Sequence, residues 1–125
     1  MAVIPFSLVD SGQTVVGDPT VVYSWSPMTQ IGADTGQPLS GMGWSDRSFQ
    51  AEGTFGAGGS ITVEGSNDGV NWHILHDPFS VPISITVGGL TQVTEISRFI
   101  RPRVVGGDAT TSLTVTGVFR TQRIT

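Results

Sequence analysis

The sequence predicts an all-β protein, a two-sheet antiparallel β-sandwich. Three observations carry this expectation. Short runs in which apolar and polar residues alternate recur along the chain. No window of about a dozen residues shows a 3.6-residue apolar period without a Gly or Pro inside it. The runs are separated by turns rich in Gly, Asn, Asp and Ser, at spacings common in sandwiches. Roughly eight to ten strands, joined by jelly-roll connections, are expected.

Taken in order, AVIPFSLV near the start reads as a strand interrupted by Pro5. Proline cannot donate to a ladder, so Pro5 marks an edge or a bulge. QTVVG is a short strand, and TVVYSW sets Val21, Tyr23 and Trp25 on one face. Residues 26–46, SPMTQIGADTGQPLSGMGWSD, form the longest irregular stretch and read as a functional loop. SFQAEGTF places Phe49, Ala51 and Phe55 opposite Gln50, Glu52 and Thr54. GTFGAGG is a hairpin tip, since a phosphate cradle would need a helix after it and a strand follows. In SITVEG, Ile61 and Val63 oppose Thr62 and Glu64.

GSNDGVNW reads as a hairpin turn. Asn67 and Asp68 can bond their own backbone, and Gly69 supplies a positive φ. Trp72 is expected on the core face with Val70 and Ile74, in a strand through NWHIL. PISITV sets Ile83, Ile85 and Val87 against Ser84 and Thr86. RFIRPRV sets Ile100 and Val104 against Arg101 and Arg103, with Pro102 as a second edge or bulge signal. SLTVTGVF sets Leu113, Val115 and Phe119 against Thr114 and Thr116. Each run has one apolar and one polar face, as in sheets that cover a shared core.

The 125 residues suit one domain spanning 1–125, with arms at 1–6 and 121–125 that could reach neighbours. There is no Cys, which removes thiolate chemistry. Charged residues are 13% of the chain, about half the usual share. All six basic residues are Arg and the net charge is −4, so no nucleic-acid or membrane-surface partner is expected. The first residues have no basic leader, so no signal peptide is expected, and no run approaches the roughly 20 apolar residues of a membrane span.

Candidate chemistry is sparse. His73 and His76 are three apart and point to opposite faces of a strand, which argues against a zinc pair. Asn67, Asp68 and Asp77 lack the alternating acids of a calcium loop. No nucleophile elbow is present, and the acids are scattered over turns. No enzyme activity, cofactor or metal is therefore expected. The binding candidates are aromatic and cationic. Trp25 and Trp72 fit inward faces, whereas Trp44, with Arg47 close by, is either a loop aromatic suited to a partner or a core residue. Arg101 and Arg103 share a face and either pair with local carboxylates or meet an acidic partner surface, and Arg123 could act likewise. Ile4 and Phe6 are the anchoring residues of the N-terminal arm.

Two family resemblances follow. SNDGVNW, RFIRPRV and LTVTGVF together resemble discoidin-type jelly rolls, which implies a carbohydrate-binding module of a phage tail or fibre as an alternative function. The second resemblance covers most of the chain. ADTGQPL, GWSDRSFQAEGTFGAGGSITVEGSNDGVNW, DPFSVPISIT and RFIRPRVVGGDATTSLTVTGVFR look like small β-sandwich virion proteins of tailed bacteriophages. That resemblance implies a capsid cement or decoration protein, made in the host cytoplasm and bound to the capsid exterior. Its implied partners are the major capsid protein and further copies of itself, as a dimer or trimer.

Overall fold

A computed structural model describes residues 3–10, 20–29, 34–40 and 46–120. Among these residues there is no helix, and eleven strands form two packed sheets. The strands are β1 (Val3–Ile4), β2 (Phe6–Asp10), β3 (Thr20–Thr29), β4 (Thr35–Gly36), β5 (Leu39–Ser40), β6 (Asp46–Thr54), β7 (Ser60–Ser66), β8 (His73–Ile74), β9 (Gly89–Gln92), β10 (Phe99–Val105) and β11 (Ser112–Arg120). One sheet runs β1-β4-β10-β7-β8, with β5 also paired to β10. The other runs β2-β3-β11-β6-β9. The expected sandwich is what the chain forms. All pairings are antiparallel except β1 with β4.

The alternating runs supply the core. Trp25, Phe49, Ala51, Ile61, Val63, Ile100, Val104, Leu113, Val115 and Phe119 are buried, and they come from both sheets. Trp25 stacks on Phe49 with centroids 5.8 Å apart, and Phe49 meets Phe119 edge-on at 5.6 Å. Burying each such ring contributes roughly 1.5–3 kcal/mol. Gly36 is fixed by this packing, because a Cβ there would lie 2.7 Å from Pro102 and from Trp25 Cδ1.

Several expectations are corrected. Ile4 and Phe6 do not belong to a free arm. Ile4 pairs with Gly36 and Phe6 with Trp25, and both pack against the core. Pro5 sits between them, where the chain leaves one sheet for the other. The stretch 26–46 is not all loop. β3 continues to Thr29, and β4 and β5 lie along β10 on either side of Pro102. Val70 is exposed, and Trp72 lies outside the core. The hairpin turn continues to Asn71, so the strand parity changes and Leu75, not Ile74, points inward. Ile83 and Ile85 do reach the core, but only through isolated bridges beside β7 and β8, while Val87 is exposed. QTVVG and the C-terminal arm lie outside the described residues.

Candidate functional site

Three surface features could carry function. The first is the outer face of the six-stranded sheet. Register sets Arg101 opposite Glu64 and Arg103 opposite Thr62. Arg101 Nε donates to Glu64 Oε1 at 3.0 Å, and Arg103 Nη1 donates to Oε2 at 3.1 Å. Glu64 is buried beneath the two guanidinium groups. Arg101 also lies over the Trp72 ring, 3.9 Å from its centroid. Such a stacked cation is favourable and is further desolvated by the ring. Of the two roles open to Arg101 and Arg103, the observed contacts are those of local carboxylate pairing.

The second feature is the lateral side where both sheets end, β8 in one and β9 in the other. The connection between them carries Phe79, Val81 and Val87 exposed to solvent. Phe79 is 87% exposed. Its turn is nevertheless firmly tied. Asp77 Oδ1 accepts from the backbone N–H of Phe79 at 2.8 Å and of Val81 at 3.1 Å. Asp77 N–H donates to the Val81 carbonyl, and Ser80 N–H donates to the Asp77 carbonyl. Ser80 holds φ at 62°, a left-handed backbone unusual for a residue with a side chain. Glu95 fastens the base of this turn. Its Oε1 accepts from His76 N–H at 2.7 Å, and its Oε2 lies 2.5 Å from His76 Nδ1. Burial raises the Glu95 pKa, but hydrogen bonds from the His76 backbone and ring outweigh it and hold the carboxyl below its ordinary value.

The third feature is an open groove of about 430 Å³ on the five-stranded sheet. Thr20, Asp46, Ser48, Gln92 and Arg120 give it polar walls, with Leu90 and Val118 between them. Arg120 Nη2 donates to Asp46 Oδ2 at 2.8 Å within it.

The remaining sequence candidates fall as follows. Arg47 is 1% exposed and is not presented to a partner. It shares the inward parity of Phe49 and Ala51, and its Nη2 donates to the Glu95 carbonyl. Burial pushes the Arg47 pKa down, against the opposing pull of Glu95. Trp44 and Arg123 lie outside the described residues. Asp68 organises the hairpin, accepting from Ser66, Val70 and Asn71. Those bonds, the Asn71 backbone N–H foremost, hold its carboxyl well below the usual range. Asn67 Oδ1 accepts from Arg98 N–H. Among the described residues no group of three His, Cys, Asp or Glu is placed to hold a metal ion. The Phe79 turn was not foreseen, although its Asp-Pro dipeptide is a turn signal.

No family model, curated protein or solved structure matches this chain.

Proposed function

We propose that this chain is a virion structural protein that binds the outer surface of a capsid shell and cements neighbouring major capsid subunits. The sequence resemblance supports this reading, and one structural observation carries it: the apolar lateral side headed by Phe79. A large aromatic held out in water by a hydrogen-bonded turn has no role in the protein's own core. Pre-ordered aromatic anchors are the residues that dominate protein interfaces, because little conformational freedom is lost on docking. An exposed apolar patch of this kind marks an interaction surface. A sandwich that spans a seam adds contact area to each shell subunit, and about 1,000 Å² suffices for a specific site. The test is co-sedimentation of the purified protein with stripped shells. Wild type should pellet with the shells and Phe79→Ser should remain in the supernatant. Equal binding by both would remove Phe79 from the interface, and no binding by wild type would end the cement reading.

The groove on the five-stranded sheet favours a second reading, a carbohydrate-binding module. Its hydroxyl, amide and charged walls beside Leu90 and Val118 suit a sugar's paired hydroxyls and apolar ring face. Binding on a glycan array that disappears in Arg120→Ala would support this reading over the first.

A further inference from the structure

We infer that two copies of this chain associate by pairing β9 with β9 about a two-fold axis, so that the five-stranded sheets become one continuous sheet. This goes beyond the cement reading and does not depend on a shell.

Sheet edges invite pairing, and proteins usually blunt them. Among the described residues, three of the four sheet edges are blunted. β1 has two residues and is followed by Pro5. β2 starts after that proline and carries a bulge between Leu8 and Asp10. β8 has two residues, and the chain directly after it is paired on its open side, where Ile83 N–H donates to the Leu75 carbonyl and His76 bridges to Pro82. β9, Gly89–Gln92, has no proline, no charge and no bulge, and none of the described residues forms a strand on its outer side.

The backbone of β9 is also oriented for a partner. Val93 N–H donates to the Arg47 carbonyl. Antiparallel ladders alternate bonded and non-bonded pairs, so Thr91 and Gly89 exchange bonds with β6. Leu90 and Gln92 therefore point their N–H and C=O groups to the open side. The side chain of Leu90 is 68% exposed beside them. A two-fold axis at Thr91 sets Leu90 opposite Gln92 of the second copy, and Gln92 opposite its Leu90. All four N–H groups and all four carbonyls are then bonded across the seam. β9 carries no charged residue, so no like charges face each other across the paired strands. A second copy satisfies every open group with the sequence already present, which favours it over a foreign strand.

Sedimentation equilibrium of the full chain tests the pairing, with a subunit mass of 13.1 kDa. The expected species is a dimer of about twice that mass. Leu90→Pro removes an N–H that makes no bond to β6, so it should abolish the dimer while leaving the far-UV spectrum unchanged. Thr91→Cys gives a second readout that does not rely on that variant folding. The chain has no native cysteine. The axis makes Thr91 a non-bonded pair with Cα atoms about 4.5 Å apart, within disulfide reach. Mild oxidation should yield a covalent dimer from Thr91→Cys and none from Val87→Cys. A monomer at all concentrations, a trimer, a dimer that survives Leu90→Pro, or equal cross-linking of both cysteine variants would each overturn the inference. Loss of shell binding with the dimer intact would count against the cement reading alone.

Discussion

Replacing Glu64 by Gln isolates the ion-paired centre of the six-stranded sheet. The substitution keeps shape and removes one charge. Glu64 is 4% exposed, and it is the acceptor seen for both Arg101 and Arg103. The Gln amide would present N–H donors to a guanidinium that also only donates. Breaking a buried pair costs about 3–5 kcal/mol when both partners are buried. The Arg101 side chain is 18% exposed but that of Arg103 is 41% exposed, so water screens the second contact. The loss should be about 2–3 kcal/mol, most of it through Arg101. For a domain of this size that lowers the melting temperature by roughly 6–15 °C. Thermal unfolding followed by circular dichroism at pH 7 measures the shift. A double-mutant cycle should give stronger coupling for Glu64 with Arg101 than with Arg103. A melting temperature within about 2 °C of wild type would refute the argument that Glu64 balances the two cations.

Other expectations concern the core, the hairpin and the exposed turn. Gly36→Ala forces a methyl against Pro102 and Trp25 and should cost about 1–3 kcal/mol, measurable by urea unfolding. Phe79→Ser removes an exposed ring and should change stability by less than about 0.5 kcal/mol in the same assay. Asp68 has its pKa lowered by folding, so the hairpin gains stability above the unfolded pKa and loses it as pH falls through the folded one. Its carboxyl carbon, followed by NMR, should titrate with a midpoint well below the roughly 3.9 of an unperturbed Asp. A midpoint at the unperturbed value would mean that the turn bonds do not form in solution.

Much of the fold was legible because β6, β10 and β11 bury one face of alternate apolar residues. β7 adds Ile61 and Val63 and β3 adds Trp25 to the same core, although β7 is buried on both faces. Legibility failed where parity or context changed. The Asp68 turn consumes residues through Asn71, which moved Trp72 to the outer face and brought Leu75 inward. β9, with only Leu90 as a large apolar residue, shows no alternation to read. The terminal position of residues 1–6 suggested an arm, but Ile4 and Phe6 pair in the two sheets and Pro5 lies at the passage between them. Arg47 was readable in principle, since it shares the parity of Phe49, but its charge suggested a surface role. Pairing of Arg101 and Arg103 with local carboxylates was one of the two expected roles, but that Glu64 is the partner follows only from the β7–β10 register. The exposed lateral side was less legible, since exposure of Phe79 depends on how its turn projects and not on local pattern.

The claim that this protein works by attaching to a capsid exterior is tested most directly by a cryo-EM map of particles assembled with and without it. The account predicts added density the size of one sandwich per site, outside the shell and across a boundary between major capsid subunits, with the Phe79 turn in contact. Identical maps, or density confined to a tail or fibre, would contradict it.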